Sequence, residues 1–281
     1  MLPISRVAHL FPVLDNHLMS LLRSLTDEEW NAPTLARRWT VKDVAAHLLD
    51  GNIRTLSMQR DGYFGVQPTG DVSSYHGLVT WLNELNNDWV AAARRISPAV
   101  MILLHEATGR LTNEYYASLH LHDKAIFSVG WAGEEESLNW MHLAREYTEK
   151  WHHQQQIRHA VGRTAPLMSR ELFFPLIDTF MRALPHTYRS VDAPSGTVIR
   201  VVVTGEAGGN WYVLKNDAAW ELIAVLPETP PPSSTSVSFP PETAWMLFTK
   251  GITAEAARAE ATVIGDERLA APVFSMLSVM A

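Results

Sequence analysis

The composition and hydrophobic period of this chain change beyond Gly162, and that change limits the folds open to it. Before it, Leu14, Leu18, Leu21, Leu22 and Leu25 recur at spacings of three and four, the signature of an amphipathic helix, and Pro12 fits its first turn. Thr26-Asp-Glu-Glu29 reads as a capping box that opens a short turn, and Pro33 interrupts it. Thr40 then supplies an N-cap oxygen for a helix running from Val41 to about Asp61, with Asp43 well placed in the first turn. Residues 62–75, which include Gly62, Gly65, Pro68, Gly70, Ser73 and Ser74, read as a connection. The next helix buries Leu78, Trp81, Leu82, Leu85, Trp89 and Ala92 and ends by Pro98. Residues 99–126 are predicted helical, and Gly130 and Gly133 frame a loop before a helix over 135–161. Long helices joined by loops indicate a bundle.

After Gly162 one more helical region, about 170–187, is expected to break near Pro175. Thr197–Thr204, Trp211–Leu214 and Ala219–Val225 are rich in β-branched and aromatic residues and are separated by Gly, Asn and Asp, so they read as strands. The isolated Gly208-Gly209 pair suits a hairpin turn rather than a phosphate loop. Pro227–Ser234 reads as a surface connection, 236–239 as a further strand, and 240–250, 253–262 and 267–280 as helical. The expectation is two domains: an all-α bundle over 1–165 and an α+β domain over 166–281.

Composition excludes several classes of function. A formal net charge of −7 and the lack of any basic run argue against nucleic acid as a partner. The apolar N-terminal stretch is broken by Arg6, His9, Asp15 and His17, and no segment approaches a membrane span, so a cytoplasmic protein is expected. There is no cysteine, hence no disulfide framework, no thiolate ligand and no internal thiol nucleophile.

Two segments about a hundred residues apart carry chemistry. In Glu149-Lys-Trp-His-His153, a carboxylate and an imidazole four residues apart share one helix face, about 5–6 Å between Cβ atoms, and one cation can bridge them. His47 stands in the apolar stripe of Trp39-Thr-Val-Lys-Asp-Val-Ala-Ala-His47, where an unpartnered imidazole is costly to bury, which makes it a natural third ligand. Each segment alone has a plainer reading. His47 could be a hydrogen-bonded core histidine, and Glu149 with His153 a solvated pair worth a few tenths of a kcal/mol. His152, three residues from Glu149, competes with His153. Arg145 and Gln156, one turn to either side, could face a cavity and hold a carboxylate or a thiol cofactor. Trp39 and Trp151 read as packing anchors, and His120, His122 and His142 as ordinary histidines.

Trp39 to His47-Leu, followed by Glu149-x-Trp151-x-His153-x-Gln155-x-Ile157-x-x-Ala160-x-Gly162, resembles the DinB-like superfamily and, within it, the mycothiol-dependent maleylpyruvate isomerase branch. The segment from Trp245 through Gly265-Asp266 to the C-terminus is similar to that branch's sterol-carrier-like domain. The resemblance implies a four-helix bundle binding a divalent metal, usually zinc, with His47, Glu149 and His153 as the corresponding ligands. It also implies a metalloenzyme that uses a small thiol, mycothiol or an equivalent, for isomerisation or S-transfer on a small electrophile. In such an isomerisation the thiol adds to an activated double bond, the resulting single bond rotates, and the thiol leaves. A hydrolase with metal-activated water, or a non-enzymatic metal- or ligand-binding protein, would use the same residues.

Overall fold

The computed structural model describes residues 5–68, 70, 75–224 and 234–279. They form two compact units, one of 6–126 and 138–166, the other of 127–137 and 167–279 together with Ser5. The expected serines 73 and 74, and the connection at 227–234 apart from Ser234, lie outside the described residues. Among the described residues no helix is long and apolar enough to cross a membrane.

The first unit is helical: α1 (Phe11–Arg23), α2 (Asp27–Trp30), α3 (Val41–Arg54), α4 (Tyr75–Ala93), α5 (Pro98–Ser118) and α6 (Asn139–Ala160). Thr26 and Thr40 both close capping boxes, with Glu29 and Asp43 returning the bond. Each such cap typically contributes about 0.5–2 kcal/mol. Arg94 anchors the second box by a bidentate bond to Asp43 at 3.0 and 3.1 Å. Helix α3 runs on into a π-helical stretch, Thr55–Arg60, so the chain stays helical almost to the expected Asp61. Helices α1 and α3 each pack against both α5 and α6, while α4 covers α3. The core between them includes Leu18, Leu22, Val44, Ala45, Leu48, Leu49 and Ile157.

The helix expected over 99–126 stops at Ser118. Residues 120–124 instead bond to the start of α6: Asn139 N–H to Asp123 O at 2.9 Å, Trp140 N–H to Leu121 O at 3.0 Å, and a bridge from Lys124 to Leu138. A non-local partner thereby replaces the i→i+4 bonds, and α6 starts four residues later than expected.

The second unit has α7 (Arg170–Met181), α8 (Leu184–Tyr188), β1 (Val198–Val203), β2 (Gly209–Lys215), β3 (Trp220–Ile223), β4 (Thr235–Phe239), α9 (Pro241–Phe248), α10 (Ala254–Glu260), β5 (Thr262–Ile264) and α11 (Glu267–Ala270). The sheet order is β3-β2-β1-β4-β5, antiparallel except for the central β1–β4 pair. Ile199, Val201, Val203, Trp211, Val213, Val237 and Phe239 line one buried face. Phe174, Phe248 and Phe274 stack or abut there, at 5.9 Å from Trp211 and at 6.0 and 5.4 Å from Phe239. Gly208 permits the β1–β2 hairpin, because a Cβ there would lie 1.9 Å from Val203 O. Gly133, with φ +82, sits so close to His186 that a Cβ would meet Nδ1 at 2.5 Å.

Three expectations for this half fail locally. Pro175 lies inside α7 without ending it, because the helix buries Leu172, Phe173, Leu176, Ile177, Phe180 and Met181, and that burial exceeds the ~3 kcal/mol a mid-helix proline costs. The break comes at Arg182–Ala183 instead, ahead of Pro185 in the first turn of α8. Residues 262–264 form an edge strand, and past Ala270 the chain tightens to a 3₁₀ turn through Ala271–Ser275.

Candidate metal centre

His47, Glu149 and His153 come together, each offering one ligand atom, with those atoms all within 4.8 Å of one another. The local sequence explains how. The cap at Thr40 fixes where α3 begins, so His47 falls nearly two turns in, on the side facing α6. On α6, Glu149 and His153 are i and i+4, with His153 Nε2 3.4 Å from Glu149 Oε2. The rings of His47 and His153 lie edge to face at 4.6 Å, and Trp39 packs on His47 at 4.9 Å. Trp151 is fully buried, as expected of a packing anchor.

These residues suit a cation. His47 Nδ1 is buried with no hydrogen-bond partner, an arrangement that costs about 1–3 kcal/mol if nothing satisfies it. Burial, with His153, Arg54 and His152 nearby, holds the His47 pKa well below the usual histidine range, so the ring is neutral and keeps a lone pair for a ligand role. Two imidazoles and one carboxylate are one of the donor sets of catalytic zinc sites.

The two adjacent histidines differ in direction. His152 is 4% exposed, and its Nε2 accepts from Gln156 Nε2 at 3.1 Å, while His153 faces Glu149 and His47. Gln156 is itself buried, and its Oε1 lies 2.9 Å from His153 Nδ1. The amide that sequence spacing assigned to a cofactor thus bridges two histidines of its own helix.

Arg145 belongs to a second polar group, one turn further toward the start of α6. It donates to His142 Nδ1 at 3.2 Å and to Glu146 at 2.5 Å. His142 Nε2 donates to Gln59 Oε1 at 2.8 Å, Gln59 Nε2 lies 3.5 Å from Thr55 Oγ1, and Thr55 meets the Tyr116 hydroxyl at 3.0 Å. The Tyr116 hydroxyl in turn bonds Glu146, which closes a ring. The ring needs a neutral His142, and burial, with a smaller contribution from Arg145, brings its pKa down to about 4 against the pull of Glu146. Burial pushes Glu146 up, yet Arg145, His142 and Tyr116 hold its carboxyl below the usual range. Sequence reading missed this ring because its members stand on three separate helical stretches with no local motif. The π-helical turn that presents Thr55 and Gln59 is likewise invisible to a 3.6-residue period.

A groove of about 550 Å³ between α1 and α5, bordered by Asp15, His105 and Asn113, contains none of the three clustered residues. Among the described residues His47, Glu149 and His153 form the sole metal-competent group.

Comparison with known proteins agrees with this architecture. No curated protein sequence matches the chain. Two crystal structures share its fold: one of a mycothiol-dependent maleylpyruvate isomerase, 15% identical with a TM-score of 0.51, and one of a histidine-to-alanine variant, 14% identical with a TM-score of 0.50. Each alignment covers 88% of both chains. The family model described as the mycothiol maleylpyruvate isomerase N-terminal domain matches residues 12–158, which span more than half of the chain and all three clustered side chains. The chain therefore belongs to the mycothiol maleylpyruvate isomerase N-terminal domain family.

Proposed function

We propose that this protein is a metalloenzyme that uses a small thiol of the mycothiol kind to isomerise, or to transfer sulfur to, a small electrophile. The observation that carries the reading is the convergence of His47, Glu149 and His153 inside the region matched by the family model. When bound, a divalent ion such as zinc supplies a Lewis acid that favours thiolate over thiol at neutral pH.

The chain's own residues prepare that chemistry. His47 is kept neutral by burial, so it can donate a lone pair without first losing a proton. Glu149 contributes one negative charge against the two of the ion, which leaves net positive charge to stabilise a thiolate. Trp39 covers one side of His47 and limits water there. The absence of cysteine fits an imported sulfur nucleophile.

Cobalt substitution tests the reading. With cobalt in the site, titration of mycothiol, then bacillithiol and glutathione, should change the visible spectrum for at least one thiol through a new sulfur–cobalt band. A spectrum that no thiol changes, together with hydrolysis of ester or amide substrates, would transfer the same residues to a water-activating hydrolase.

A further inference from the structure

Gln156 sits between two histidines, and the chemistry of a primary amide restricts what both can be. Its oxygen only accepts and its nitrogen only donates. With Oε1 2.9 Å from His153 Nδ1, that nitrogen must carry a proton. With Nε2 3.1 Å from His152 Nε2, that nitrogen must present a lone pair, so the His152 proton is on Nδ1. Both rings then have the same tautomer. Rotating the amide by half a turn reverses both demands together and puts both protons on Nε2. No arrangement of a single amide satisfies one ring of each kind.

We propose that Gln156 is a tautomer latch, a positioning residue that couples the proton positions of His152 and His153 and, in the orientation seen here, leaves His153 Nε2 as the lone pair facing Glu149 and His47. In the reversed orientation His153 Nε2 carries a proton and donates it to Glu149, 3.4 Å away, and is closed to a cation. Proton exchange between the two states runs through water, and neither changes the net charge. Gln156 and His152 are 5% and 4% exposed, so little solvent competes for these bonds. Partners of this kind, one shell behind a metal ligand, typically change metal affinity 10- to 100-fold. The inference rests on the metal reading above only for its consequence, since the coupling itself involves no ion.

The test uses the full chain with ¹⁵N-labelled histidine and zinc alone as the probe. In the zinc-loaded protein, long-range ¹H–¹⁵N spectra should place the protons of His152 and His153 both on Nδ1. Gln156→Met, close in size but unable to bridge, should lower zinc affinity 10- to 100-fold in competition with a chelator, with its fold checked by circular dichroism. Gln156→Glu supplies two acceptors, so it should keep zinc affinity at or above that of the parent. His152 should move to the Nε2 tautomer while His153 stays on Nδ1, a split that a merely structural role for Gln156 would not produce. A mixed pair of tautomers in the parent, or Gln156→Met binding zinc as tightly as the parent, would overturn the latch. If the parent takes up no zinc, the metal reading fails, and the metal-free spectra decide the latch: a shared tautomer supports it, a mixed pair refutes it.

Discussion

The two halves of α6 bring polar side chains into one helical unit and leave them in opposite conditions. Between His142 and Glu146 the ring through Gln59, Thr55 and Tyr116 matches donors to acceptors among the chain's own groups, with only Arg145 Nε left over. Between Glu149 and His153 the acceptors outnumber the donors: a carboxylate only accepts, and a His47 ring kept neutral brings one lone pair with its one N–H, its buried Nδ1 without a partner. A closed ring stabilises one conformation and binds nothing further. An excess of buried lone pairs is satisfied by a cation. Polarity and burial are thus shared by both halves, and the balance of donors against acceptors separates a structural network from a site.

The largest effect should come from emptying the acceptor-rich half. His47→Ala and His153→Ala should each reduce the metal content from about one divalent ion per chain to near zero, as measured by elemental analysis, because two remaining ligands seldom hold zinc. Both variants should stay folded. Full metal content in both would remove the distinction between the two halves.

Acid should act on the closed half. A folded-state pKa of about 4 for His142 lies below the ordinary 6.5, so the unfolded chain binds the extra proton first. This group's contribution to stability is whole above about pH 6.5 and is lost as pH falls toward 4, at no more than about 1.4 kcal/mol per pH unit. His105, buried and also brought down to about 4, adds a similar slope. Replacing His142 with Gln, which cannot be charged, should flatten urea-derived stability against pH across this window relative to the parent. An unchanged slope would mean that His142 is not held neutral.

The smallest effect tests the ring without touching the metal. Tyr116→Phe removes one hydroxyl and leaves Thr55 and Glu146 each short of a partner, at a cost of about 1–3 kcal/mol in denaturant unfolding. Zinc affinity should not change. A tenfold loss of affinity in Tyr116→Phe would show that the halves act as one network.

What could be read in advance follows from how far each signal reaches. The capping box at Thr26, the N-cap at Thr40, the α3 stripe and the β-branched and aromatic runs of β1, β2 and β4 are local patterns, and the elements appear where those patterns lie. The end of α5 was not legible, because its last expected turn gives way to bonds with Leu138, Asn139 and Trp140, some twenty residues on. Pro175 misled for a similar reason: local cost pointed to a break, and the buried face of α7 outweighed it. In the candidate site, the i,i+4 spacing of Glu149 and His153 is a helix property visible in the sequence, and His47 joined them by family resemblance and burial cost.

By itself the sequence determined the two kinds of architecture and the family, since hydrophobic period and motif order are properties of neighbours along the chain. Only the tertiary structure turned His153 rather than His152 toward Glu149 and His47, enclosed Arg145 in the ring with Glu146 and His142, and set Gln156 as a bridge between two histidines. The reason is directional: spacing says which side chains share a helix face, but a hydrogen bond also depends on which atom of each ring or amide meets which partner, and packing across α3, α5 and α6 sets that.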